Sequence, residues 1–214
     1  MDKIVLEFLN DLSANNDRNW FQVNRARYDQ ARLTVEQFVN QLIPLVGRFD
    51  EGVKHLRAKD CMFRIFRDVR FSANKSPFKT NMGAWITPAG RKSSGPGYYL
   101  HLQPGASFLA AGVYMPDPDQ LKRLRKEVYY NTDRFVKLIN DPGLRRYFGD
   151  LDVMDKAKLA PRDFPRDFPH IELLKHRHYI VSCPLTDAQV NSDDFQSLVH
   201  QAFRSAWPLN CFLK

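Results

Sequence analysis

Between residues 63 and 115, four apolar runs follow one another too closely for helices to fit between them. "FRIFRDVRF" (63–71), "MGAWITP" (82–88), "GYYLHLQP" (97–104) and "SFLAAGVYM" (107–115) are rich in aromatic and β-branched residues, the types that suit a pleated, half-buried surface. They are separated by "SANKSPF", "AGRKSSGPG" and the tight "PGA", all built from turn formers. Parallel strands need a crossover of a dozen or more residues, usually a helix. The spacing therefore predicts an antiparallel meander.

The flanks read differently. Val5, Phe8, Leu9 and Leu12 recur at helical spacing, with Asp2 as the expected cap and "SANND" as the stop. Asp17 can cap a second helical stretch holding Trp20 and Phe21, and Tyr28, Ala31, Val35, Phe38, Val39 and Leu42 continue the pattern to about Val46. After "PDPD" a basic helix is expected, with Leu121, Leu124 and Val128 inward and Lys122, Arg123, Arg125 and Lys126 around it. A helix over 132–140 ending at "DPG", an extended "LAPRDFPRDFPH" packed through its Phe rings, a short helix over 171–174, a strand in "HRHYIVSCPL" and a closing helix over 193–206 complete the reading. The economical architecture is one α+β domain over residues 1–214, with an antiparallel sheet backed by helices and a helical N-terminal region.

No apolar run approaches the length of a membrane span, and "MDKIVLEFLNDL" lacks the pattern of a secretory signal. A cytoplasmic protein with no membrane partner is expected. Cys61, Cys183 and Cys211 are odd in number and widely spaced, so they are read as buried thiols rather than a disulfide framework or zinc site.

The net charge of +8 attracts polyanions, and its distribution says more than its sum. No Asp or Glu occurs from Val69 through Pro116, while Arg70, Lys75, Lys79, Arg91 and Lys92 do. On a strand over 63–71, Arg64, Phe66, Asp68 and Arg70 share one face, and Arg67 falls among Phe63, Ile65, Val69 and Phe71 on the other. A guanidinium in that setting needs a carboxylate, backbone carbonyls or a bound anion. Arg64 and Arg70 are the expected ligand grips. Lys75 and Lys79 add field from a loop that also offers Ser72 and Thr80, Asp68 orients the arginines, and Arg67 braces the sheet from behind. No GxxxxGK[ST] is present, so the loop is not a P-loop.

"NNDRNWF" (15–21), "FRIFRDVRFSANKSPFKTNMGA" (63–84), "GYYLHLQPGASFLAAGVYMP" (97–116) and "HIELLKHRHY" (170–179) resemble, in order, the signature blocks of a bacterial and fungal family, domain of unknown function 2461. The resemblance implies a single domain and carries no activity, cofactor or catalytic residue. Its pattern falls on Arg64, Arg67, Asp68, Arg70, Phe71, Ser72, Lys75, Pro77, Lys79 and Thr80; Asn74 and Phe78 stand where Asp and Tyr are expected.

Other features weigh less. Tyr99, His101 and Gln103 share a face of their strand, and His101 is placed to meet the basic strand as a proton donor or anion ligand. His176 and His178 at i, i+2 have no third clustered ligand, so no metal and no cofactor is expected. The acid-free window argues against two-metal catalysis. The preferred expectation is a binder of a phosphate-bearing or other anionic ligand through residues 64–80. The alternatives are a non-specific nucleic-acid binder, a transfer or hydrolytic enzyme using Asp68 or His101, and purely structural arginines paired with acids such as Asp163 or Asp167. The sequence leaves the oligomeric state open.

Overall fold

The computed structural model describes residues 1–214. Helices α1 (Ile4–Ala14), α2 (Arg18–Val23) and α3 (Arg25–Val46) form its N-terminal part. α1 buries Val5, Phe8, Leu9 and Leu12, the stripe its spacing predicts. Asp2 accepts a hydrogen bond from the Ile4 N–H at 3.0 Å. Asp17 accepts from the N–H groups of Asn19 and Trp20, each at 2.9 Å, satisfying donors that a helix start leaves open.

After α4 (Ala58–Cys61) the chain builds β1 (Met82–Ile86), β2 (Gly97–Leu102) and β3 (Ser107–Val113), and β4 (Tyr179–Leu185) returns late to complete the sheet. All neighbours are antiparallel and the order is β1-β2-β3-β4. Register fixes two faces. Met82, Ala84, Ile86, Tyr98, Leu100, Leu102, Leu109, Ala111, Val113, Tyr179 and Val181 point into the core. Trp85, Tyr99, His101, Phe108, Ala110 and Ser182 point the other way. At Gly112, φ is +118° and a Cβ would lie 2.0 Å from the Tyr179 carbonyl oxygen, so β3 meets β4 there only through a glycine.

Between β3 and β4 run α5 (Pro118–Tyr130), α6 (Thr132–Ile139), α7 (Pro142–Phe148) and α8 (Ile171–Leu174); α9 (Asp187–Val190) and α10 (Phe195–Phe212) follow. α10 packs against β3 and α3, on the inward face of the sheet. The tandem RDFP segment docks Phe164 and Phe168 on Tyr129, with ring centroids 5.2 and 4.8 Å away.

Three expectations need correction. "DPG" starts a helix as well as ending one: Asp141 accepts from the Leu144 N–H at 3.1 Å, and Pro142 takes the first helical position of α7, where its missing N–H is no loss. Only Cys61 is buried; Cys183 is half-buried and Cys211 is exposed, because α10 runs past Ala206 to Phe212 and turns Cys211 outward.

The third correction concerns residues 63–71, which do not form a strand. Met62 bridges Ala84 and the Phe63 N–H reaches Gly83, but the backbone then leaves the β1 edge. Its next bonds go to its own continuation, from Arg67 N–H to the Pro77 carbonyl at 2.9 Å and from Lys79 N–H to the Ile65 carbonyl at 2.8 Å. The segment folds back on itself instead of extending the sheet. Burial still alternates from Arg64 to Arg70, with Ile65 buried and Arg67 and Val69 half-buried between exposed neighbours, but Phe63 and Phe71 at the two ends are exposed.

Candidate functional site

The folded-back segment is held from both sides. Asn16 donates to the Phe78 carbonyl at 3.0 Å and accepts from the Phe78 N–H at 3.1 Å. One side chain thereby supplies both bonds a neighbouring strand would give. Phe21 stacks on Phe78 with centroids 4.0 Å apart and 14° between planes, and Phe66 packs at 5.9 and 5.5 Å from Phe21 and Phe78. Trp20 and Phe21 thus serve the core, and the 15–21 and 63–84 blocks meet there.

Inside the loop the predicted cations are spent locally. Arg67 donates to the Ser76 carbonyl at 3.2 Å and to Ser72 Oγ at 3.3 Å, so backbone and hydroxyl oxygens compensate its guanidinium. Lys75 donates to the Val69 carbonyl at 3.1 Å. Arg70 grips Asp68 through two bonds, Nε at 2.9 Å and Nη2 at 2.7 Å. The Arg70 hydrogen bonds hold the Asp68 carboxyl below the usual carboxylate range.

Arg64 and Lys79, at the base of the loop, are different. They face a cleft of about 640 Å³. Along α3, Arg25, Tyr28, Arg32 and Glu36 fall at spacings of three, four and four residues, one helical stripe, and that stripe forms one wall. Lys59 of α4 and the turn bearing Arg91 and Lys92 contribute from the other side. Seven cations therefore surround the cleft, against Glu36 as the lone carboxylate. Arg25 is committed to Asp29 at 3.0 Å, and Glu36 stands 3.9 Å from Arg32. Arg91 donates to the Lys59 carbonyl. No side-chain hydrogen bond or ion pair holds Lys59, Arg64, Lys79 or Lys92. Burial, and then the neighbouring Arg64 charge, pushes the Lys79 ammonium below its usual pKa, which an incoming anion would relieve.

A second cavity of about 720 Å³ lies over the outward face of the sheet. Trp85, Tyr99, Phe108 and Tyr114 supply aromatic walls. His101 lies on its floor, stacked on Phe108 at 4.6 Å and 21°. Tyr99 Oη lies 3.0 Å from His101 Nδ1, and His101 Nε2 lies 3.0 Å from Gln103 Oε1. The row is satisfied when the Tyr99 hydroxyl donates to Nδ1 and Nε2–H donates to Gln103. Burial lowers the His101 pKa against the opposing Gln103 bond, and burial raises the Tyr99 phenol to about 12. Gly83, across from His101 on β1, lies under Tyr99: a Cβ there would fall 2.7 Å from Tyr99 Oη.

The chain belongs to DUF2461, a conserved hypothetical protein family. Its profile matches residues 4–212. No curated protein and no solved structure matches the chain.

In this DUF2461 chain the predicted site residues part company. Arg64 and Lys79 line the cleft, whereas Arg67, Asp68, Arg70, Ser72, Lys75 and Thr80 do not. His101 faces the sheet cavity and pairs with Gly83 and Phe108, not with the basic segment. Asp163 pairs with Lys122 at 3.2 Å and not with the arginines of residues 64–70. His176 and His178 are buried structural residues, in contact with the Asp152 carbonyl and the Met115 N–H, each at 3.0 Å. No group of three or more His, Cys, Asp or Glu side chains gathers to hold a metal, and no helix is long and apolar enough to cross a membrane. Arg25, Arg32 and Lys59 escape sequence reasoning. For Arg25 and Arg32 the one signal is the α3 stripe, and nothing local says what that stripe faces; Lys59, on α4, has no such signal.

Proposed function

We propose that this protein binds a small phosphate-bearing ligand in the cleft between α3 and the 62–66 and 79–82 segments. The observation that carries the reading is the set of cations around the cleft that nothing in the fold neutralises. Four of them, Lys59, Arg64, Lys79 and Lys92, have no anionic partner and lie at a site with one carboxylate. Cations gathered for stability alone repel each other unless acids intervene. A half-buried wall also makes each contact to an anion stronger than it is in water. Arg64 offers a planar fork and Lys79 a point charge, the pairing that suits phosphate oxygens. The cleft volume lies within the range of small-molecule sites.

The test is a thermal-shift panel of phosphate esters at two salt concentrations. A ligand at about a hundred times its dissociation constant adds about 2.7 kcal/mol, a rise of several degrees for a chain of this size. Arg64→Ala and Lys79→Ala should each cut the shift by half or more without lowering the melting temperature of the ligand-free protein. A flat panel across all phosphates would overturn the reading. A shift seen only with long polynucleotides, and steeply salt-dependent, would replace it with non-specific phosphate-backbone binding.

A further inference from the structure

The basic cleft and the sheet-face cavity are not separate places. Phe63 and Arg91 line both. The Phe63 ring stands edge-on to Tyr99, with centroids 6.3 Å apart, while Lys79 Nζ lies 5.5 Å from the centre of the same ring. One partition thus has a cation on its cleft side and an aromatic floor on the other. We propose that the two cavities form one bipartite site whose ligand is a phosphate ester of an aromatic ring system, a nucleoside monophosphate being the plainest example.

The assignment rests on the anion reading of the cleft and adds the rest of the molecule to it. The cations gather at the cleft, whereas the sheet cavity is mainly aromatic and aliphatic, with Arg91 at the shared partition and Asp152 as its charged groups. The ligand must therefore be anionic at one end and apolar at the other. A planar ring suits the second end, because Trp85, Tyr99 and Phe108 offer faces and edges for stacking and every nucleobase has a π-face. Ser182 adds a hydroxyl that no group in the fold engages, midway along the edge strand β4 and opposite Ala110. The floor beneath the ring is kept level by Ala110, and by Gly83, which lets Tyr99 lie flat on β1.

The test measures affinities of the full chain for adenosine 5′-monophosphate, ribose 5-phosphate and n-octyl phosphate by titration calorimetry. The nucleotide should bind at least tenfold tighter than ribose 5-phosphate. Ser182→Leu, which fills the sheet cavity from a residue that does not line the basic cleft, should reduce that advantage to less than threefold while leaving ribose 5-phosphate unchanged. Ala110→Leu fills the same floor from β3 and serves if the first variant does not fold. Arg64→Ala should weaken the nucleotide and ribose 5-phosphate by the same factor. Equal affinity for nucleotide and ribose 5-phosphate would overturn the bipartite site and leave the anion cleft intact. Octyl phosphate binding as tightly as the nucleotide would overturn the aromatic assignment. If none of the three binds, the anion cleft itself fails, and this inference with it.

Discussion

Lys79 Nζ lies 5.5 Å from the centroid of the Phe63 ring, a cation held against an aromatic face rather than against a carboxylate. The ammonium is half-buried beside Arg64, and both its burial and that neighbour depress its pKa. Removing the charge should cost phosphate binding but not folding. Lys79→Met should reduce affinity for a phosphate ester by roughly tenfold to a hundredfold, the worth of about 1.5–3 kcal/mol for a hydrogen bond to a charged group. Wild-type binding should also weaken at alkaline pH. Lys79 loses its proton as pH rises through its lowered pKa, so affinity falls before pH 10.5, its ordinary value. Lys79→Arg should move that decline upward. Titration from pH 7 to 10.5 checks both.

Asn16 fixes the loop from outside, through two hydrogen bonds to the Phe78 backbone. Asn16→Ala leaves a partly buried N–H and carbonyl without partners, at a cost of about 1–3 kcal/mol for each orphaned group. Urea unfolding should show the loss, and hydrogen exchange should show faster opening at residues 65–79 than elsewhere. Asn16→Asp keeps the acceptor only, so it should fall between wild type and alanine.

Asp68 and Arg70 form a surface pair in the loop, outside both cavities. Asp68→Asn should therefore leave phosphate affinity within a factor of two. Arg67→Ala should do more harm, because it frees the Ser76 carbonyl and Ser72 hydroxyl that shape the loop. Calorimetric titration of the two variants side by side separates a structural arginine from a ligand-gripping Asp68–Arg70 pair. A large loss in Asp68→Asn would place the site in the loop after all.

His101 is held neutral by burial. Its folded pKa lies below the usual 6.5, so on acidification the unfolded chain takes up a proton first. Stability then falls as pH drops below about 6.5, until the folded histidine also protonates. His176 and His200, also lowered mainly by burial, act in the same direction. His101→Gln should flatten part of the decline in melting temperature between pH 7 and pH 5. If the variant's curve stays parallel to wild type, the Tyr99–His101–Gln103 row does not behave as a buried neutral chain.

Gly112 tests the sheet. Gly112→Ala combines a left-handed backbone with a Cβ 2.0 Å from the Tyr179 carbonyl. Strain of about 1–3 kcal/mol adds to overpacking of about 1–3 kcal/mol. The variant should lose several degrees of melting temperature, with β3–β4 amides exchanging fastest.

Much of the fold was legible because it follows from local periodicity. The spacing of Val5, Phe8, Leu9 and Leu12 in α1, the cap at Asp17, and the alternation of Tyr98 and Leu100 against Tyr99 and His101 in β2 are one-dimensional signals. They survive folding because each depends only on near neighbours. The acid-free window likewise pointed to a cationic region: Lys79, Arg91 and Lys92 lie within it, and Arg64 just before it. What the sequence could not show is which cations remain free. Arg70 looked like a ligand grip, Lys75 like added field from the loop and Arg67 like a brace behind a strand, yet each finds an oxygen within the loop once residues 65–67 pair with 77–79. Arg25, Arg32 and Lys59 looked like ordinary surface charge until α3 and α4 were packed against β1. The free charge of a site is a balance among residues far apart in sequence, and only tertiary structure decides which cations are left without partners.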